Sequence, residues 1–187
     1  MNEEQLIQRA TEGDAEAFNA LLGAHEQQMY ALCLRMCCNP EDAQDCLQEA
    51  MLRVFRAIST FKGQSAFSTW LYRIAMNTSY DLLRKRKNAA NVSADQLFEE
   101  GWSPVDANET PEQRALHSEQ RVALNDMIQS LPEDMRAAVV LRDVQGFSYE
   151  EISQIMNVNV GTVKSRISRG RERLRKKIIA KPELFNR

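Results

Sequence analysis

Only two histidines, His25 and His117, occur among the 187 residues. No glycine-rich phosphate loop is present, and no nucleophile has a base at catalytic spacing. Such poverty leaves little from which to build an active site, so the chain is predicted not to be an enzyme, with no catalytic residues and no cofactor. No apolar run approaches the ~20 residues needed to span a bilayer. The opening segment MNEEQLIQRA lacks the basic flank and apolar stretch of a signal peptide, which predicts a cytoplasmic protein. Neither the period-two alternation of a half-buried strand nor an internal repeat is found. The fold class predicted by elimination is all-α.

Helical periodicity is present along most of the chain. Asp14 is placed to cap a long helix running to about Cys38, with Phe18, Leu21, Leu22, Met29, Leu32 and Met36 on one stripe. Asn39-Pro40 ends it. A second helix carries Ala43, Leu47, Ala50, Val54 and Ile58 inside and Glu41, Asp42, Asp45, Gln48 and Glu49 largely outside, giving an acidic face. The stretch STFKGQSAF breaks the pattern, and STWLYRIAMNTSYDLLRKRK resumes it to end in four consecutive basic residues, which suit a helix C-terminus. Periodicity then fades. Between Asn91 and Glu119 there are seven acids and one Arg, punctuated by Gly101, Pro104 and Pro111, the composition of a linker. Thr110, Pro111 and Gln113 read as a cap reopening a helix, and Pro132 starts another that ends at Gly146. The prediction is two small helical domains, 1–88 and 111–187, joined by an acidic linker over 89–110.

The charge distribution is uneven. Val160 to Lys177 holds eight Lys or Arg against one acid, Glu172, in a chain of net charge -2. At about 100° per residue Val163, Ile167, Gly170, Leu174 and Ile178 share one face, opposite Ser165, Ser168, Arg169, Glu172 and Lys176. Upstream, Ser148 to Glu151 forms a capping box, Ile152, Ile155 and Met156 an apolar face, and NVNV a turn. A short helix, a tight turn and a helix with a polar outer face make the helix-turn-helix plan, whose second helix enters the major groove. Ser165, Ser168 and Arg169 lie where base edges would be, and Lys164, Arg166, Arg171, Arg173, Arg175 and Lys176 where phosphates would be.

Two clusters each have two readings. Phe61, Phe67, Trp70, Tyr72 and Tyr80 interleave with Lys62, Arg73, Asn77 and the Arg84 to Lys87 run, as in surfaces that stack unpaired bases, yet Phe67, Trp70, Leu71 and Ile74 also follow core spacing. Cys33, Cys37, Cys38 and Cys46 fall in one window. A metal or redox site would favour paired C-x-x-C spacing with histidine. Small apolar filling in a reduced core is the reading adopted, with no metal.

The segment DAQDCLQEAMLRVFRAISTFKGQSAFSTWLYRIAMNTSYDLLRK resembles region 2 of the extracytoplasmic-function sigma factors, and SLPEDMRAAVVLRDVQGFSYEEISQIMNVNVGTVKSRISRGRERLRK resembles region 4 of the same group. The resemblance implies a dissociable promoter-specificity subunit of bacterial RNA polymerase. Region 4 would read the minus-35 element as duplex through Lys164, Ser165, Arg166, Ser168, Arg169 and Arg173. Region 2 would read the melted minus-10 strand through Phe61, Lys62, Ser65, Phe67, Trp70, Arg73, Asn77 and Arg84. Asp42, Asp45, Gln48 and Glu49 match the surface that docks on the β′ clamp helices, and the β subunit completes the polymerase contact. An anti-sigma factor, often membrane-anchored in this family, would hold the chain inactive, and the isolated protein would be a monomer. A stand-alone helix-turn-helix regulator with a helical sensor domain is the alternative; it would bind duplex DNA without polymerase.

Overall fold

The structure, a computed structural model, describes residues 2–90, 120 and 122–185. Helices and their connections account for these residues, with no strand among them. The expected linker and the Thr110-Pro111 cap lie outside them, apart from the first two linker positions.

The first body holds four helices. α1 (Glu3–Thr11) is opened by a capping box between Asn2 and Gln5. Asp14 caps α2 (Ala15–Cys37), accepting from Glu16 N at 2.9 Å and Ala17 N at 3.1 Å. All six residues of the expected α2 stripe are buried. Cys38 closes the helix in the left-handed region at φ 61°. Asn39 then caps α3 (Pro40–Ala57) by accepting from Asp42 N at 3.0 Å, so the pair that stops one helix starts the next. A short 3₁₀ turn (Ile58–Thr60) and the Gly63 loop lead into α4 (Phe67–Ala90).

The second body begins with a helix over 122–129 (α5), then α6 (Glu133–Val139). The helix expected from Pro132 to Gly146 widens over Val140–Val144 into a π turn, with Gln145 N bonded to Val140 O at 3.0 Å. Gly146, at φ +80°, turns the chain into α7 (Tyr149–Met156). α8 (Val160–Ile179) and the short α9 (Pro182–Phe185) complete the chain. α8 lies close against α6 because Gly170 has no side chain: a Cβ there would meet Val139 Cγ2 at 2.6 Å.

The two bodies touch. Tyr72 of α4 meets Phe147 edge-on, with ring centroids 4.8 Å apart, and its hydroxyl lies 3.2 Å from Gln145 Oε1. Apolar residues of both bodies form one continuous buried cluster.

The cysteines divide. Cys33, Cys37 and Cys46 are buried where α2, α3 and α4 meet, as filler would be. Ser79 already donates to Ala75 O at 2.9 Å, which leaves Cys46 to donate to Ser79 Oγ at 3.3 Å. Hydrogen bonds shared with Cys46, and then burial, push the Cys33 and Cys37 thiols well up. Cys38 does not fit that reading. It is half-buried and sits between the bodies, where Arg136 Nη1 donates to its sulfur at 2.5 Å. Among the described residues no group of three His, Cys, Asp or Glu is placed to hold a metal ion.

Candidate nucleic-acid interface

The helix-turn-helix is assembled from local signals. Ser148 N donates to Glu151 Oε2 at 2.8 Å while Glu151 N donates to Ser148 Oγ at 3.2 Å, which fixes the start of α7. Asn157 ends it in the left-handed region at φ 53°, a conformation asparagine tolerates. Ser153 Oγ donates to Val158 O at 2.6 Å, bracing the turn. Asn159 then accepts from Thr162 N at 2.7 Å and starts α8.

The faces of α8 fall as its periodicity predicts. Val163, Ile167, Gly170 and Leu174 are buried, whereas Lys164, Ser165, Ser168, Arg169 and Arg173 are exposed. The cations differ in what they touch. Arg171 forms a two-pronged pair with Asp143, and Glu172 holds Arg175 at 3.1 Å and Lys176 at 3.6 Å. Lys164 lies over the Tyr149 ring, 5.7 Å from its centroid. Arg169 and Arg173 make no ion pair among the described residues. Arg166 is half-buried and its Nη2 lies 2.6 Å from Asp134 Oδ2.

The other predicted readers separate into a buried frame and an exposed row. Phe67 and Trp70 are only 4% and 8% exposed. With the half-buried Phe61 they form a three-ring cluster whose centroids are 5.3 to 5.7 Å apart, and His25 tilts against Phe67 at 5.7 Å. These two rings have no free face to stack on a base. Tyr72 is buried as well, and burial, then the Asp134 carboxylate, push the Tyr80 hydroxyl up beyond the ordinary tyrosine range. Arg73, Asn77 and Arg84 are exposed and fall within a narrow arc of α4. Arg84 donates to Asp81 at 2.8 Å. Lys62 is exposed and Ser65 half-buried on the loop above the ring cluster.

On α3 the four acidic-face residues are not equivalent. Asp45 and Gln48 are exposed. Asp42 is paired with Arg86, and Glu49 accepts from Arg53 at 2.8 Å; that hydrogen bond holds its carboxyl below the usual range. Sequence reasoning missed the neighbours of Asp45 and Gln48. Leu52 and Phe55, 49% and 60% exposed, continue the same face. Their signal was available, since both are large apolar residues lying off the buried stripe of α3.

Family models match in the order the two bodies take. Sigma-70 region 2 covers residues 21–89, and Sigma-70 region 4 covers residues 121–174. The RNA polymerase sigma-H factor of Pseudomonas aeruginosa is 39% identical over 178 residues, spanning 93% of this chain and 92% of that protein. The ECF RNA polymerase sigma-E factor of Escherichia coli K12 is 39% identical over 183 residues, 95% of each chain. The chain belongs to the ECF sigma factors. It is thus an alternative sigma factor, of the class that directs transcription initiation. The fold agrees with two solved structures. CnrH in complex with the cytosolic domain of CnrY matches at TM-score 0.70 and 23% identity, over 95% of this chain and 97% of that one. The sigma factor RpoE of Bartonella quintana, in complex with the anti-sigma factor NepR, matches at TM-score 0.72 and 24% identity, over 88% and 98%. Among the described residues of this sigma factor, no helix is long and apolar enough to cross a membrane.

Proposed function

We propose that this sigma factor works in the cytoplasm on core RNA polymerase, with α8 reading the minus-35 element as duplex and the exposed row of α4 reading the melted minus-10 strand. The observation that carries the proposal is the outer face of α8, where Ser165, Ser168 and Arg169 are exposed between flanking cations. Arg169, with no ion pair among the described residues, can bind guanine bidentately. Lys164, Arg166 and Arg173 are assigned to phosphates. In the minus-10 reader, Asn77 with Arg73, Lys62, Ser65 and Arg84 contacts the strand, and Phe61 lines the loop. Phe67 and Trp70 act as the frame that holds this loop in place, because their burial leaves no face for a base.

Docking on the β′ clamp helices is assigned to Asp45 and Gln48, with Leu52 and Phe55 supplying apolar area beside them. Asp42 and Glu49 contribute by orienting Arg86 and Arg53. Residues 1–88 form the docking and minus-10 unit, 111–187 the minus-35 unit, which also meets the β subunit, and 89–110 the connection. An anti-sigma factor is the expected inhibitor, since the sigma factor RpoE of Bartonella quintana was solved with such a partner.

Two substitutions test the division of labour. Arg169→Ala weakens binding to minus-35 duplex by ~1–3 kcal/mol in a mobility-shift titration. Asn77→Ala leaves that affinity unchanged and reduces permanganate-reactive thymines in the polymerase complex. Equal opening by the Asn77→Ala protein and the wild type would remove the strand-reading role.

A further inference from the structure

Two cations converge on one ring at the start of α7. Tyr149 follows the Ser148 cap directly and is half-buried, its ring packed against the buried apolar cluster. Arg142 Cζ lies 4.8 Å from the ring centroid and Lys164 Nζ lies 5.7 Å from it, both within the range of a cation-π attraction. Arg142 is itself anchored, since its Nη1 donates to Phe147 O at 2.8 Å. The ring is thus gripped from the core and from the π turn, and exposed Lys164 is the flexible member of the three.

Lys164 needs such a partner more than the other cations of α8. It stands in the second turn, near the helix end whose exposed N–H groups carry partial positive charge, and the first turn supplies no acid to offset it. It makes no ion pair among the described residues. Farther along, Arg166, Arg171, Arg175 and Lys176 are each held by an acid, which offsets the charge a phosphate would meet. A ring acts differently. Its negative face orders an ammonium without cancelling its charge, and it occupies only one side of the group, so N–H donors stay free for a phosphate.

We propose that Tyr149 is a positioning residue for duplex recognition: its ring, braced by Arg142, holds the Lys164 ammonium ready for a DNA phosphate beside the outer face of α8. This role deepens the minus-35 reading proposed above and rests on it. A free lysine side chain gives up much of its rotamer freedom when it meets a phosphate; one ordered beforehand gives up less and binds more tightly. The Tyr149 hydroxyl has no hydrogen-bond partner among the described residues, and the role needs only the ring.

Ring electrostatics and packing can be separated experimentally. The full chain is assembled on core polymerase, and its affinity is titrated on a duplex selected from random sequence by polymerase carrying the wild-type chain. Tyr149→Phe keeps the ring and is expected to bind as wild type. Replacing Tyr149 with trifluorophenylalanine keeps nearly the same shape but withdraws negative charge from the ring face, and should weaken binding about two- to fivefold. In a Lys164→Ala background, itself weaker than wild type, the fluorinated and plain rings should bind alike, because the group they differ in holding is gone. Equal affinity of the two rings with Lys164 present, alongside losses in Lys164→Ala and Arg169→Ala, would overturn the positioning role and leave duplex reading by α8 standing. A loss in Tyr149→Phe as large as that of the fluorinated variant would assign the effect to the hydroxyl and overturn the role as well. So would a fluorine effect that survives in the Lys164→Ala background, since the ring would then act through another group. Wild-type affinity in both Lys164→Ala and Arg169→Ala would instead remove duplex reading by α8, and the role of Tyr149 with it.

Discussion

The two regions assigned to DNA are built in opposite ways. On α8 the face assigned to DNA is the exposed one, and the buried face, Val163, Ile167, Gly170 and Leu174, seats the helix. Around α4 the residues that drew attention as base-stackers, Phe67 and Trp70, are inside, and the exposed row is the polar set Arg73, Asn77 and Arg84. The difference suits the two targets proposed for them. A duplex presents a regular groove, which a preformed rigid helix can enter with its side chains ready. An unpaired strand has no shape of its own, so its reader needs a stiff frame that holds a loop open, and buried rings supply stiffness.

That contrast breaks most visibly at Trp70. Trp70→Ala removes a ring packed on both Phe61 and Phe67 and is expected to cost roughly 3–5 kcal/mol of stability, read as a lower denaturant midpoint. Arg169→Ala, equally central to its own region, should change stability by less than about 0.5 kcal/mol. Comparable losses from the two would mean that α8 is structural as well as functional and would blur the distinction.

A second substitution sharpens the role of the buried face of α8. Gly170→Ala places a Cβ 2.6 Å from Val139 Cγ2 and 3.5 Å from the Met135 carbonyl oxygen. Overpacking costs ~1–3 kcal/mol, offset by up to about 1 kcal/mol of helix propensity, so a net loss of roughly 1–2 kcal/mol is expected in the second body. A variant as stable as wild type would show that α8 can move off α6 freely.

The smallest effect comes from the cap of α2, in the first body. The hydrogen bond from Ala17 N, then the one from Arg9, hold the Asp14 carboxyl below its ordinary range. An acid whose folded pKa is depressed adds stability above its unfolded value and loses it as pH falls through the folded one. Asn still caps but carries no charge. Asp14→Asn should therefore lower the melting midpoint slightly at pH 7, and the gap should close on acidification below the ordinary carboxylate range. A gap that persists there would assign the loss to geometry.

Much of this was legible in the sequence because it is periodic or local. The stripe of α2 from Phe18 to Met36, the burial of Val163, Ile167 and Leu174, and the caps at Asp14 and Ser148 all depend on residues a few positions apart. Contacts between the bodies were not legible. Tyr80 and Asp134 lie 54 positions apart, and Tyr72 and Gln145 lie 73 apart; periodicity says that a face is covered but not by what. The aromatic cluster stood between two readings because core spacing and base-stacking composition coincide there, and three-dimensional packing turned Phe67 and Trp70 inward. Cys38 differs from its neighbours for a related reason. It follows the last turn of α2 in a left-handed conformation, so the helical pattern that buries Cys33 and Cys37 no longer governs it.

Run-off transcription with purified core polymerase tests the central claim most directly. The account predicts that core polymerase alone gives no promoter-dependent transcript from a template carrying this factor's promoter, and that adding the wild-type chain produces one. Arg169→Ala and Asn77→Ala should each reduce that transcript, the first by weakening recruitment and the second by slowing opening. A transcript of equal yield from wild type and both variants would contradict the two-reader account, and no transcript with wild type at any template found by selection from random promoter sequences would contradict promoter reading itself.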